Sequence, residues 1–126
     1  MINFNPQQGL IIVNVRLFGP SGEYGARLAL DTGASSTVIS KEILVTIGYF
    51  PDALPQTVNF TTGSRIESAS RVTLDKLQAS GQERPNFSVI AHTLPPSASL
   101  DGLLGLDFFR NHILTLDFRN GEITLV

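Results

Sequence analysis

A chain of 126 residues, 42% hydrophobic and only 16% charged, is long enough to bury a core and too apolar to be disordered, and residues 1–126 read as a single domain. Nine Lys and Arg against eleven Asp and Glu give a formal charge of -2 with no basic run, which argues against a nucleic-acid partner. No segment approaches the ~20 consecutive apolar residues of a membrane helix, and without cysteine there are no disulfides, thiolate metal sites or cysteine nucleophiles.

In chain order the sequence reads as strands separated by turns. The apolar run 10–18 is broken by Asn14 and Arg16, followed by no small-residue cleavage site, and reads as a strand and not as a signal peptide. Gly19-Pro20-Ser21-Gly22 is a turn, and 26–30 returns as a strand ending at Asp31. After Val38-Ile39, Ser40 is placed to cap a short helix over 41–44, kept brief by the β-branched Val45, Thr46 and Ile47. Pro51 and Pro55 mark a loop, and strands over 57–61 and 65–74 flank Thr62-Gly63-Ser64 as an exposed hairpin. A turn at Ser80-Gly81-Gln82 precedes a strand over 87–91, and Pro95 to Ser99 form a loop. Residues 106–111 suit one or two helical turns, with Asp107 near the start where the helix dipole favours an anion. The chain closes with strands 113–118 and 122–126 around Asn120-Gly121. In the last strand Ile123, Leu125 and Val126 read either as a sheet edge or as part of a subunit interface, the latter slightly favoured.

The chemically informative stretch is Ala29-Leu30-Asp31-Thr32-Gly33-Ala34-Ser35. An apolar strand delivers a carboxylate onto a tight Thr-Gly loop, and a second apolar segment follows it. Gly33 lets the backbone turn beside the carboxylate and can offer its amide hydrogen to it. Two such carboxylates a few ångströms apart cannot both ionise cheaply, so they hold one proton between them and provide a base and an acid together. A chain with one copy of the loop then needs a second chain.

Asp31 to Ala34, the hairpin tip at 62–64 and Leu103-Leu104-Gly105 stand in the order and approximate spacing of the retropepsin-like aspartic proteases, which this chain resembles from about residue 10 to about residue 118. Gly105-Leu106-Asp107-Phe108-Phe109 resembles the cellular and bacterial branch. The resemblance implies a mainly β fold: a closed barrel equivalent to half of an acid protease, with one or two short helices, assembled as a two-fold homodimer. It implies an aspartic endopeptidase with Asp31, Thr32 and Gly33 as the catalytic loop, Thr32 bonding across the two-fold axis, and no cofactor. Ala34, Thr62, Gly63 and Ser64 would face substrate, the last three as a flap, and Leu103, Leu104 and Gly105 would support the loop from behind. Ala34 replaces the Ser or Thr more usual in pepsin-like relatives, which removes a donor to the carboxylate and predicts a mildly acidic to near-neutral pH optimum. The flap is more polar and poorer in glycine than retroviral flaps, which keeps open a non-catalytic dimerisation or peptide-binding module of the same fold.

Other candidates carry less. Asp101 lacks the following Thr or Ser and reads as a turn residue. His92 and His112 have no paired metal-ligand spacing, so no metal is expected; Ser35 and Ser36 lack a nucleophile elbow and read as loop hydrogen-bonders. Phe108 and Phe109 are core or interface residues. A nucleotide loop of the actin and sugar-kinase type, suggested by Asp31 to Ser36, would need two large lobes that this length cannot supply. The expected partners are a peptide substrate and a second copy of the chain. Lack of cysteine weakly favours the cytoplasm, and the chain is equally consistent with a soluble part of a longer protein.

Overall fold

The structure is a computed structural model that describes residues 2–53, 57–62 and 65–126, with side chains described outside 54–67. The strands are β1 (Ile2–Asn3), β2 (Ile12–Gly19), β3 (Gly22–Leu30), β4 (Val38–Ile39), β5 (Thr57–Thr62), β6 (Arg65–Ala79), β7 (Gln82–Ala91), β8 (Gly102–Leu104), β9 (Leu114–Asp117) and β10 (Glu122–Leu125). Two short helices join them, α1 (Lys41–Thr46) and α2 (Leu106–Phe109). The expected mainly β architecture is what the chain adopts.

Six strands close on themselves in the order β2-β3-β8-β4-β7-β6, and β6 pairs back onto β2 through Arg16–Gln78, Leu17–Leu77 and Phe18–Lys76. Closure follows from period-two patterning. Val13, Val15 and Leu17 of β2 and Ala26 and Leu28 of β3 point inward, while Asn14, Arg16 and Arg27 point out. β6 is long enough to serve three partners, pairing β5 near its start, β7 from Ser70 onward and β2 near its end. The β5–β6 hairpin therefore stands off the barrel.

Residues of opposite parity on four of these strands form a second, smaller apolar cluster. Val38, Ala69, Ile90 and Leu103 meet there, whereas their chain neighbours Ile39, Val89, Ala91 and Leu104 belong to the main core. Ala69 lies on β6 within the base of the hairpin, opposite Val58.

Several boundaries differ from the sequence reading. β7 begins at Gln82, five residues early, and includes Pro85 opposite Lys76. β4 reaches β7 only at Ile90 and Ala91, so the other edge at Pro85 has no strand partner that needs its missing N–H. Ser40 occupies the α1 N-cap position, but its hydroxyl donates to the Glu42 carboxylate at 2.6 Å instead of capping the backbone. The last strand is not an edge. β10 lies between β1 and β9, and Ile123 and Leu125 are buried within the chain itself. The two-residue strand β1, which covers that side, carried no turn or periodicity signal.

Candidate active site

Asp31 follows the last residue of β3, and backbone bonds hold the strand end from both sides. The Leu30 amide donates to the Ile11 carbonyl and the Asp31 amide to the Leu104 carbonyl, each at 2.9 Å. β8 lies parallel to β3 with Leu104 beside Leu30, which puts the Leu103-Leu104-Gly105 segment next to the strand that leads into the acidic loop. The loop then turns sharply: the Gly33 amide donates to Asp31 Oδ1 at 2.9 Å, and the Ala34 amide to the Asp31 carbonyl at 3.1 Å. Asp31 is half-buried, whereas Thr32 and Gly33 are exposed at the loop tip.

A second set of bonds fixes the far side of the loop. Thr37, which is fully buried, donates its hydroxyl to Asp107 Oδ1 at 2.7 Å and its amide to Oδ2 at 2.9 Å. The same hydroxyl accepts the Gly105 amide at 3.1 Å, and the Leu106 amide donates to the Ala34 carbonyl at 2.8 Å. A side chain at Gly105 would meet the Ser36 backbone at 2.7 Å and the Ala34 carbonyl oxygen at 2.9 Å, so only glycine lets the loop and β8 approach this closely. At Gly102 a Cβ would collide with the Val38 carbonyl oxygen.

Thr37 and the structural role of Asp107 were missed by sequence reasoning. Asp107 does begin α2, but its carboxylate bridges to Thr37 seventy residues away, a pairing no local pattern signals. Asp101 likewise has a tertiary partner: its Oδ2 accepts the Arg27 amide at 2.8 Å, and its own amide donates to the Arg27 carbonyl at 2.9 Å. Behind α2, Arg84 donates to the Phe108 carbonyl at 3.0 Å and lies 4.5 Å from the centre of the Phe108 ring. Phe108 is core, as expected. His112 bonds to the Arg110 carbonyl and to Arg84.

Of the remaining expected site residues, Thr62 is described as backbone only, paired with Arg65 at the end of the hairpin, while Gly63 and Ser64 lie outside the described residues. Alternation along β3 puts Arg27, Ala29 and Asp31 on one side of the strand, away from the main core. Ala29 pairs with Leu103 of the smaller apolar cluster, so that cluster shares the Asp31 side of the barrel. Among the described residues no helix is long and apolar enough to cross a membrane, and no group of three or more acidic or histidine side chains is arranged to hold a metal.

The sequence profile of the aspartyl protease family matches residues 13–108, a span that contains the acidic loop, β8 and most of α2. The chain is also similar to the crystal structure of a retropepsin-like aspartic protease from Rickettsia conorii, with a TM-score of 0.68 and 19% identity over 99% of this chain and 87% of that one. No curated protein sequence matches the chain.

Proposed function

The chain belongs to the aspartyl protease family and has a retropepsin-like fold, and from that we propose that it is an aspartic endopeptidase whose active site forms where two copies meet. The observation that carries this reading is where the partners of the three aspartates lie. Both oxygens of Asp107 accept from Thr37 and Asp101 accepts the Arg27 amide, each bond joining distant parts of the chain, whereas Asp31 accepts only within its own loop, from the Gly33 amide. A second Asp31 comes from a second chain. Two-fold symmetry brings identical loops together on the axis, with the exposed Thr32 placed to bond across it.

In that dimer one carboxylate is ionised and the other protonated. The ionised Asp31 takes a proton from a bound water whose oxygen attacks the peptide carbonyl carbon, while the protonated Asp31 donates to the carbonyl oxygen as it becomes an oxyanion. Collapse of the tetrahedral adduct breaks the C–N bond, and a proton passed from the dyad leaves with the amine. The Gly33 amide, 2.9 Å from Oδ1, is a fixed donor that orients the carboxylate throughout.

Substrate lies as an extended strand beneath the β5–β6 hairpin, recognised through its backbone. The test is cleavage of a peptide library between about pH 4 and 7, read by mass spectrometry, for the parent and for Asp31→Asn. Cleavage that disappears in the variant supports the proposal. A folded dimer in which neither protein cleaves would favour a non-catalytic module.

A further inference from the structure

An open groove of about 340 Å³ is walled on one side by Gln8, Leu10 and Ile12 and on the other by Ser99 and Leu100, with Arg27 between them. The strand register ties it to the site. Ile12 pairs with Ala29, and the Leu30 amide bonds to the Ile11 carbonyl, so the chain that forms this wall enters the sheet beside the residues that lead into Asp31. Arg27 lies four residues before Asp31 on the same side of β3, about 13 Å along the strand.

Among the described residues Arg27 is the only charged side chain lining this groove. Its side chain is exposed and makes one long hydrogen bond, from Nη1 to the Ser99 carbonyl at 3.4 Å. Among the described residues no carboxylate pairs with it, because the Asp101 carboxylate accepts the Arg27 backbone amide instead. Most of the guanidinium donors thus face a groove whose other walls are apolar or neutral. A guanidinium fork matches a carboxylate in geometry as well as charge.

On the reading of the chain as a protease, we propose that Arg27 makes this site selective for an acidic side chain of the substrate, held in the groove between Leu10–Ile12 and Ser99–Leu100. Arg27 is a specificity residue and not a catalytic one. A Glu fits best, its carboxylate on Arg27 and its methylene groups against Leu10 and Ile12.

The test separates binding from cleavage. Decapeptide pools with Glu, Gln or Lys fixed at each position are titrated against Asp31→Asn protein by fluorescence polarisation, and against the same protein carrying Arg27→Gln or Arg27→Glu. The expected result is one position at which Glu binds about five- to tenfold better than Gln, an advantage reduced from that of a buried pair by exposure and falling with added salt. Arg27→Gln erases that advantage and Arg27→Glu transfers it to Lys at the same position. No peptide binding, no discrimination at any position, or a preference unchanged in both Arg27 variants would overturn the proposal. So would Arg27 variants that alter only the association of two copies, since Arg27 would then serve the interface. Acid-selective binding without cleavage by the parent would sink the protease reading and leave the acid site standing. Cleavage without selectivity would do the reverse.

Discussion

Asp107 grips Thr37 with both carboxylate oxygens, at 2.7 Å from the hydroxyl and 2.9 Å from the amide, and so ties the start of α2 to the end of the acidic loop. Thr37 is the single fully buried polar side chain among the described residues, and its hydroxyl also satisfies the Gly105 amide. Replacement by valine leaves that amide and one Asp107 oxygen without a partner. Thr37→Val is therefore expected to cost about 2–3 kcal/mol of unfolding free energy and Thr37→Ser less than about 1. Denaturant titration of both variants checks this; equal losses would place the effect in packing instead.

Gly105→Ala should be among the most damaging single-methyl additions in the chain. Its Cβ would lie 2.7 Å from Ser36 backbone atoms and 2.9 Å from the Ala34 oxygen, and backbone on two sides cannot step aside as a side chain can. A loss of about 3 kcal/mol or more is expected. Gly25→Ala, on the exposed end of β3 with nothing within 4 Å of the new methyl, is the control and should change stability by less than about 1 kcal/mol.

Ser80 combines two unfavourable features. It opens the β6–β7 turn at a φ of 55°, ahead of Gly81 at 75°, and its buried hydroxyl has no partner among the described residues. Ser80 lines a small apolar cavity with Leu104 and Phe108. Ser80→Gly removes the orphan hydroxyl and the left-handed penalty together, and should raise stability by about 1 kcal/mol. Thermal or chemical unfolding that shows a loss would mean the hydroxyl is satisfied.

Glu42 supplies a modest acid-sensitive contribution. Hydrogen bonds from Ser40 and then Thr93 hold its carboxyl below the ordinary carboxylate value. A carboxylate with a lowered folded value stabilises the fold above its unfolded value, and that contribution disappears as pH falls through the folded one. Because the group is well exposed, the effect is a few tenths of a kcal/mol after screening. Glu42→Gln should flatten the unfolding free energy of the parent between about pH 5 and 3 by that amount.

Ala34→Ser should restore a donor near the Asp31 carboxylate and shift the acidic limb of the peptidase profile to lower pH. The rate profile of the variant beside the parent, on one peptide, decides it. An unshifted limb would show that the new hydroxyl does not reach the carboxylate.

What the sequence made legible was what local pattern encodes: alternating strands, the two-residue turns, and an acidic loop between apolar segments. The close approach at Gly105 was legible only through resemblance, since spacing alone does not say which backbone a glycine meets. Long-range commitments were not legible at all. Nothing near Asp107 points to Thr37, nothing near Asp101 points to Arg27, and nothing in Arg84 announces that it caps α2. β1 and the early start of β7 were hidden for a related reason: a two-residue strand has no period, and Pro85 argues against a strand until the empty edge beside it is known.

The central claim is that each chain holds half of a catalytic site, and mixing tests it most directly. Parent and Asp31→Asn proteins are combined at fixed total concentration, allowed to exchange subunits, and assayed on a cleavable peptide. If both carboxylates of one site come from two Asp31 residues, activity follows the square of the parent fraction and an equal mixture retains about a quarter. A linear decline, with about half the activity left in the equal mixture, would show that each Asp31 works independently of a second one and would contradict the account.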